Sequence, residues 1–145
     1  MRIVSRSPQR TRQLGRAIAK KILKTKKDRV VLGLKGALGS GKTTFIDGFA
    51  RGLGLKKRMM SPTFIIVRHH RLRGGSKKHF FHMDAYRIGK ISELRSLDFK
   101  KMISTPRSIT VIEWPEKVRQ ALPKDTSWLE FRHGRKENER VISVK

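Results

Sequence analysis

The stretch Gly36-Ala37-Leu38-Gly39-Ser40-Gly41-Lys42-Thr43 decides the fold of this chain. It matches the pattern G-x-x-x-x-G-K-[ST] at every position. The apolar run Arg29–Lys35 in front of it predicts a buried strand. Behind it, apolar residues spaced by four predict a helix over Thr44–Leu53. The pattern therefore stands in the strand–loop–helix context that a phosphate-binding loop requires.

Small residues in such a loop let successive backbone N–H groups point at one anion, and the following helix adds its positive end. Lys42 can then reach the β- and γ-phosphates, and the hydroxyl of Thr43 can complete the coordination shell of Mg²⁺. Glycine-rich turns between a strand and a helix also occur without ligands, which is the alternative. The full pattern favours a bound nucleoside triphosphate.

Composition limits the other functions. The chain has 145 residues and no cysteine, which fits one domain in a reducing compartment. We find no apolar run long enough to cross a membrane and no secretory signal, so we expect a soluble cytoplasmic protein. Lys and Arg number 36 against 11 acidic residues, a net charge of +25 that favours RNA as a partner. A general basic bias is the alternative, and few aromatic residues interleave with the basic ones, so no stacking surface is evident.

The pattern of elements predicts a single α/β domain with a mostly parallel central sheet flanked by helices. We expect an N-terminal lead-in over residues 1–9, a helix over Thr11–Lys24 with an apolar stripe, and a C-terminal antiparallel strand pair. The remaining strands are predicted at Phe64–His70 and His79–Asp84, which form a hairpin, at Ser108–Glu113, and at Trp128–Arg132 and Arg140–Val144.

Two of the carboxylates stand at the ends of predicted strands, Asp84 and Glu113. Ligands of an open parallel sheet bind beyond the carboxyl ends of its strands. Either carboxylate is therefore placed to hold Mg²⁺ or to orient an attacking water, and the alternative is an acid that caps a turn or pairs with Arg87. Asp47, on the predicted loop helix, is expected to face solvent. The hydroxyl of Thr63 can sense a γ-phosphate or simply begin a strand.

His79 and His82 have the spacing of metal ligands, but alternate side chains of a strand point to opposite faces. We therefore expect no metal role for them, and we expect His69, His70 and His79 at the wet surface. The element Asn-Lys-x-Asp, which reads guanine in regulatory GTPases, is absent. This absence favours adenine as the base.

Four sequence blocks together resemble one family. They are Gly36–Phe45, Ser61-Pro62-Thr63-Phe64, Asp84-Ala85-Tyr86-Arg87 and Ile112-Glu113-Trp114-Pro115-Glu116. In this order and spacing they resemble TsaE, the small bacterial ATPase required for threonylcarbamoyladenosine modification of tRNA. The likeness spans about Thr11 to Pro123, and the phosphate loop alone would not specify it.

The resemblance implies a P-loop NTPase that binds ATP and Mg²⁺ and works with TsaD and TsaB, which transfer threonylcarbamoyl to tRNA. It implies Mg²⁺ ligands at Thr43 and Glu113, with Asp84 and Thr63 near the metal and γ-phosphate. Lys42, Asp84 and Glu113 would serve catalysis. Thr11 and the loop Gly134–Lys136 would approach the adenine. The implied nucleotide contacts in the loop are Leu38, Gly39, Ser40, Gly41, Lys42, Thr43 and Thr44.

This chain departs from the family in two ways. Ala37 stands where the family usually has an acidic residue, and most members are far less basic. Three other functions fit the same residues: a nucleotide-gated module that binds RNA or protein, a small P-loop kinase, and a plain RNA-binding protein. They differ in whether hydrolysis, a phosphorylated product or steep salt dependence accompanies function.

Overall fold

The computed structural model describes residues 1–56 and 66–145. The described chain is of the α/β class, as predicted, and its strands form both parallel and antiparallel pairs. The strands are β1 Arg2–Ser5, β2 Arg29–Lys35, β3 Val67–Arg71, β4 His79–Asp84, β5 Ser108–Glu113, β6 Ser127–His133 and β7 Arg140–Val144. The helices are α1 Pro8–Leu23, α2 Lys42–Gly52 and α3 Phe99–Ile103, with 3₁₀ helices at Ile91–Leu97 and Pro115–Ala121.

The chain forms two compact units. The first contains the described parts of Met1–Thr25, Lys35–Ser61 and Trp128–Lys145. In it, β7 pairs antiparallel with both β1 and β6, so the predicted C-terminal strand pair is confirmed. Its core contains Phe45 stacked on Phe49, with ring centroids 6.1 Å apart, and meeting the ring of Phe131 edge-on at 5.3 Å. These contacts fix α2 against β6.

The residues expected to be a lead-in contain a strand. Residues Arg2–Ser5 form β1 and pair with Ser143 to Arg140 of β7. Helix α1 then begins at Pro8, three residues before the predicted start, because the Ser7 side chain accepts a hydrogen bond from the backbone N–H of Arg10. Four residues flanked by charges give too short a pattern for a strand to be recognised from the sequence.

Helices α1 and α2 pack backbone against backbone. A Cβ atom at Gly15 would overlap the carbonyl oxygen of Phe45, and one at Gly48 would overlap the carbonyl oxygen of Arg12. A Cβ at Gly52 would lie 2.6 Å from the carbonyl oxygen of Arg16. The fully buried face of α1 is therefore made of small residues, whereas the predicted apolar stripe is only partly buried. The buried residues are Thr11, Gly15 and Ala19, and the stripe is Leu14, Ile18 and Ile22.

Asp47 of α2 was expected to face solvent, but it lies beside α1. Its carboxylate is 3.5 Å from Arg12 Nε and 3.9 Å from Arg51 Nε, and its side chain is only 13% exposed. The like charges on the basic face of α1 repel one another, which disfavours the helix. The carboxylate of Asp47 offsets part of this repulsion.

The second unit comprises Lys26–Leu34 and the described part of Pro62–Ser127. Its strands β2, β5 and β4 run parallel, and β3 is antiparallel to β4, which confirms the predicted hairpin. Strand β5 is buried along its whole length, as its apolar sequence predicts. Aliphatic, methionine and aromatic side chains form the core, among them Val31, Met83, Ile88, Phe99, Met102 and Ile112.

Candidate functional site

The phosphate loop connects the end of β2 to the start of α2. Gly39 has φ 75° and Gly41 has φ 102°, so both have the positive φ that residues with a side chain rarely adopt. At Gly41, φ lies beyond the usual left-handed range, and this residue precedes α2 directly. The glycines of the motif are therefore required by the backbone path of the loop.

The loop fits a phosphate group. The Ser40 side chain is buried, and its Oγ has no hydrogen-bond partner among residues 1–56 and 66–145. Helix α2 opens without an acidic residue in its first turn, and Gly41 has no side chain to cap it. The first N–H groups of a helix carry partial positive charge and bind anions. An orphaned hydroxyl beside such a helix end is what an anionic ligand would satisfy.

Lys42 extends over this loop. Its side chain is 5% exposed, and Nζ donates a hydrogen bond to the carbonyl oxygen of Gly36. A Cβ at Gly36 would lie 2.7 Å from both Ser40 Oγ and the carbonyl oxygen of Phe131, so this glycine is needed for the close approach of the loop to β6. Thr43 is exposed in the first turn of α2, and Leu38 is 74% exposed at the loop tip.

Sequence reasoning missed Arg140, at the start of β7. Its Cγ lies 3.5 Å, and its Nε 3.9 Å, from the position of a Cβ at Gly41. The guanidinium is held by two hydrogen bonds, which Nη1 donates to the carbonyl oxygens of Glu137 and Glu139. The loop Gly134–Lys136 that precedes it is closed by Glu139, which accepts from the backbone N–H of Gly134 and of Arg135. A residue 99 positions from the loop in the sequence carries no local signal for this contact.

Thr11 is buried within the first unit. Its hydroxyl lies 2.7 Å from Ser5 Oγ and donates to the carbonyl oxygen of Ser7. These contacts tie α1 to the end of β1, so the hydroxyl has a structural role. Contact of Thr11 with a nucleotide stays a prediction, and so does contact of the Gly134–Lys136 loop.

The two strand-end carboxylates lie side by side in the second unit. Asp84 of β4 is the register partner of Glu113 of β5, at the carboxyl ends of two parallel strands. Asp84 Oδ1 accepts a hydrogen bond from the backbone N–H of Tyr86 at 2.9 Å, so this acid does cap the following turn. The Glu113 side chain is almost fully buried.

His82 holds Glu113. Its Nε2 lies 2.8 Å from Glu113 Oε2, both side chains are buried, and His82 Nδ1 has no partner within the part of the chain that the structure describes. Because side chains alternate along a strand, His82 and Asp84 of β4 lie on one face, and this alternation is the only sequence signal that links the histidine to the strand-end acids. The sequence does not show which residue of the neighbouring strand His82 contacts, because this depends on the register between β4 and β5.

Among the described residues, no group of three or more His, Asp or Glu side chains could hold a metal ion. Bound Mg²⁺ typically takes only one or two carboxylates and completes its shell with phosphate and water. Thr43 and Glu113 fit that requirement by donor chemistry. Thr43 and Glu113 belong to different units, and so do Lys42 and Asp84. A site shared by these residues therefore stays a prediction. Thr63 lies outside the described residues.

Comparison with known proteins identifies the family. A sequence model described as threonylcarbamoyl adenosine biosynthesis protein TsaE matches residues 5–142. The chain belongs to the TsaE family. A TsaE of Treponema pallidum is 34% identical over 134 residues, covering 91% of each chain. A TsaE of Streptomyces coelicolor is 40% identical over 115 residues, covering 79% of this chain and 73% of that protein.

A solved structure gives the same fold. The crystal structure of Bacillus subtilis YdiB superposes with a TM-score of 0.76 at 25% identity, over 99% of this chain and 83% of that one. The predicted P-loop fold is thereby confirmed for this TsaE-family chain. Within the described residues, no helix is long and apolar enough to cross a membrane.

Proposed function

We propose that this chain is a Mg²⁺-dependent ATPase that serves threonylcarbamoyladenosine modification of tRNA. The observation that carries the proposal is the phosphate loop itself: two glycines at positive φ, an orphaned Ser40 hydroxyl and Lys42 over the loop. Membership of the TsaE family supplies the pathway, because curated relatives are named for tRNA threonylcarbamoyladenosine biosynthesis.

The residues have separate roles in this proposal. Backbone N–H groups from Leu38 to Thr44 bind the phosphates, and Lys42 neutralises the β- and γ-phosphoryl oxygens. The Thr43 hydroxyl and the Glu113 carboxylate would hold Mg²⁺, which neutralises charge on the transferred group when bound. Arg140 beside Gly41 adds a fixed positive charge to the loop.

Water is the acceptor in this reaction, and a carboxylate orients it for in-line attack on the γ-phosphoryl group. Glu113 or its register partner Asp84 has that role. The hydrogen bond from His82 fixes the rotamer of Glu113, and the Tyr86 N–H fixes that of Asp84. Restrained carboxylates favour catalysis because they are oriented before the substrate reacts.

Calorimetric titration with ATP and with GTP, in the presence and absence of Mg²⁺, tests the proposal. Lys42→Ala should weaken ATP binding at least about tenfold, since it removes a charge-assisted contact to phosphate. Lys124→Ala is the matched control, because it removes the same charge from an exposed position outside the loop. Equal ATP affinity of Lys42→Ala and the wild type would contradict the proposed site.

The same titration tests the metal ligands. Glu113→Ala should abolish the dependence of ATP affinity on Mg²⁺, whereas Asp125→Ala, which removes an exposed carboxylate, should leave it unchanged. A Mg²⁺ effect that survives in Glu113→Ala would remove this carboxylate from the metal shell.

TsaD and TsaB are the proposed protein partners, and tRNA in the cytoplasm is the substrate of the pathway. ATP turnover by the isolated chain should be slow, and it should rise when the TsaD–TsaB heterodimer is added. Modification that continues with a non-hydrolysable ATP analogue would instead identify a nucleotide-gated binding module.

A further inference from the structure

The second unit has a groove whose lining includes none of the residues proposed to bind ATP or Mg²⁺. It has a volume of about 360 Å³ and is open to solvent between the β3–β4 hairpin and α3. His69, His79 and Phe81 line one side, and Asp98, Lys101 and Thr105 line the other. Its volume is at the lower end of the range for small-ligand pockets, which suits a single planar ring system.

The first side of the groove is a set of nearly parallel rings. His69 stacks on Phe81 with centroids 4.6 Å apart and an interplanar angle of 15°. His79 lies 6.1 Å from Phe81 at 19°, and 5.1 Å from His69. The antiparallel register creates this set, since His69 pairs with Phe81 and Arg71 pairs with His79. No stacking surface for single strands is evident from the sequence, and binding of a strand by these rings stays a prediction. Histidines supply two of the three rings.

The two histidines are joined by a hydrogen bond of 2.9 Å between His69 Nε2 and His79 Nδ1. Partial burial lowers the pKa of His69 below its ordinary value of 6.5, and His79 and Arg71 lower it further. One face of the His69 ring stacks on Phe81, and the ring lines the groove.

The second side of the groove supplies polar groups. Asp98 precedes α3 with φ 52° and does not cap it with its side chain, and its exposed carboxylate is acceptor-only when ionised. Lys101, one turn further on, is an exposed cation at the same groove. An acceptor and a cation beside a stack of rings match an amino-bearing base and a backbone phosphate of the same strand.

We propose that this groove binds one unpaired, amino-bearing nucleobase of single-stranded RNA. The net charge of +25 favours a polyanion over a protein partner. Lys101 lines the groove, and the charge of Arg71, the register partner of His79, acts on His69. Stacking on rings is how single-stranded nucleic acid is bound without a duplex groove to read. Asp98 favours adenine, cytosine or guanine, whose exocyclic amino groups donate to a carboxylate, over uracil.

The probe is pentaadenylate with 2-aminopurine at its centre, added to the full chain without ATP. Wild-type protein should quench the 2-aminopurine fluorescence and bind pentaadenylate more tightly than pentauridylate or an abasic pentamer. The double variant His69→Gln and His79→Gln should weaken pentaadenylate binding roughly fivefold or more, because stacking is lost. Its slope of affinity against salt should not change, since no phosphate contact is removed.

Three variants separate the contributions. His70→Gln is the matched control, because His70 lies on the same strand but stacks on Phe80 of the opposite face. Asp98→Asn should reduce the preference for adenine over uracil, while Asn tolerates the left-handed backbone. Lys101→Ala should lower the salt slope by about 0.7, the value for one phosphate contact to a single strand.

Equal binding of the abasic pentamer and pentaadenylate by the wild type would overturn the proposal, since only charge would then act. AMP bound as tightly as pentaadenylate would overturn it also, because the ligand would be a free nucleotide. Thermal melts check that each variant is folded. If the double variant is unfolded, the Asp98→Asn variant, at an exposed residue, tests the proposal instead. Lys42→Ala should bind pentaadenylate as the wild type does, so failure here is distinguishable from failure of the ATPase proposal.

Discussion

The phosphate loop and the strand-end carboxylates are built in opposite ways. The loop is a contiguous stretch whose binding groups are backbone amides, and its shape depends on glycines at positive φ. Glu113 is instead positioned by His82, 31 residues away in the sequence, through the parallel register of β4 and β5. The phosphate loop should therefore be disrupted by substitutions that add side-chain atoms at its glycines. The Glu113 site should be disrupted by substitutions that remove a side chain such as that of His82.

The largest effect on stability should come from adding a methyl group where α2 packs against α1. Gly48→Ala places a Cβ into the carbonyl oxygen of Arg12, so α1 and α2 have to separate. We expect a loss of about 3 kcal/mol in the free energy of unfolding, the upper part of the range for overpacking, measured by urea denaturation. Gly89→Ala is the control, because its Cβ would meet only the end of the Glu93 side chain at 3.3 Å. A loss below about 1 kcal/mol for Gly48→Ala would mean that the helices are not in backbone contact.

Removing the partner of Glu113 should have the next largest effect. His82→Ala leaves a buried carboxylate without its hydrogen bond, which costs about 2 kcal/mol in unfolding free energy. His82→Gln should lose less, since an amide N–H can donate to the same oxygen. His133→Ala, at an exposed histidine, should stay within about 0.5 kcal/mol of the wild type. Chemical denaturation measures all three, and equal stability of His82→Ala would show that the pair does not hold Glu113.

A smaller effect separates strain from crowding within the loop. Gly39 has φ 75°, yet a Cβ there would meet nothing described within 4 Å. Gly39→Ala should therefore cost about 1 kcal/mol through backbone strain alone. Gly39→Asn adds more atoms but should cost less, because Asn tolerates this conformation. A larger loss for Asn than for Ala, in the same denaturation experiment, would show that space and not backbone conformation requires glycine.

The smallest effect concerns a side-chain contact at the surface. Hydrogen bonds from Lys145, at 2.5 Å, and from Arg132, at 2.8 Å, lower the pKa of Glu130 to about 2. Since the folded-state pKa is below the ordinary 4.5, the contribution of Glu130 to stability is present above pH 4.5 and is lost as the pH falls towards 2. Glu130→Gln should flatten this part of the stability curve by less than about 1 kcal/mol. An unchanged acid limb in urea titrations from pH 5 to 2 would show that the ion pairs do not form in solution.

The same contrast explains what the sequence could predict. The loop, α2 and the buried strand β5 follow from contiguous patterns of glycine and apolar residues, and the structure contains all three. The partner of Glu113 depended on strand register, and the contact between Gly41 and Arg140 depended on how β7 returns. The close contact of α1 with α2 was missed because small residues give no hydrophobic periodicity.

Backbone contact between α1 and α2 has a mechanical consequence. Two helices that touch through Gly15 and Gly48 have no side-chain layer in which to slide, and the ion pair between Arg12 and Asp47 adds a second attachment. We therefore expect the two helices to behave as one rigid body, which carries both Lys42 in the first turn of α2 and the exposed basic residues of α1.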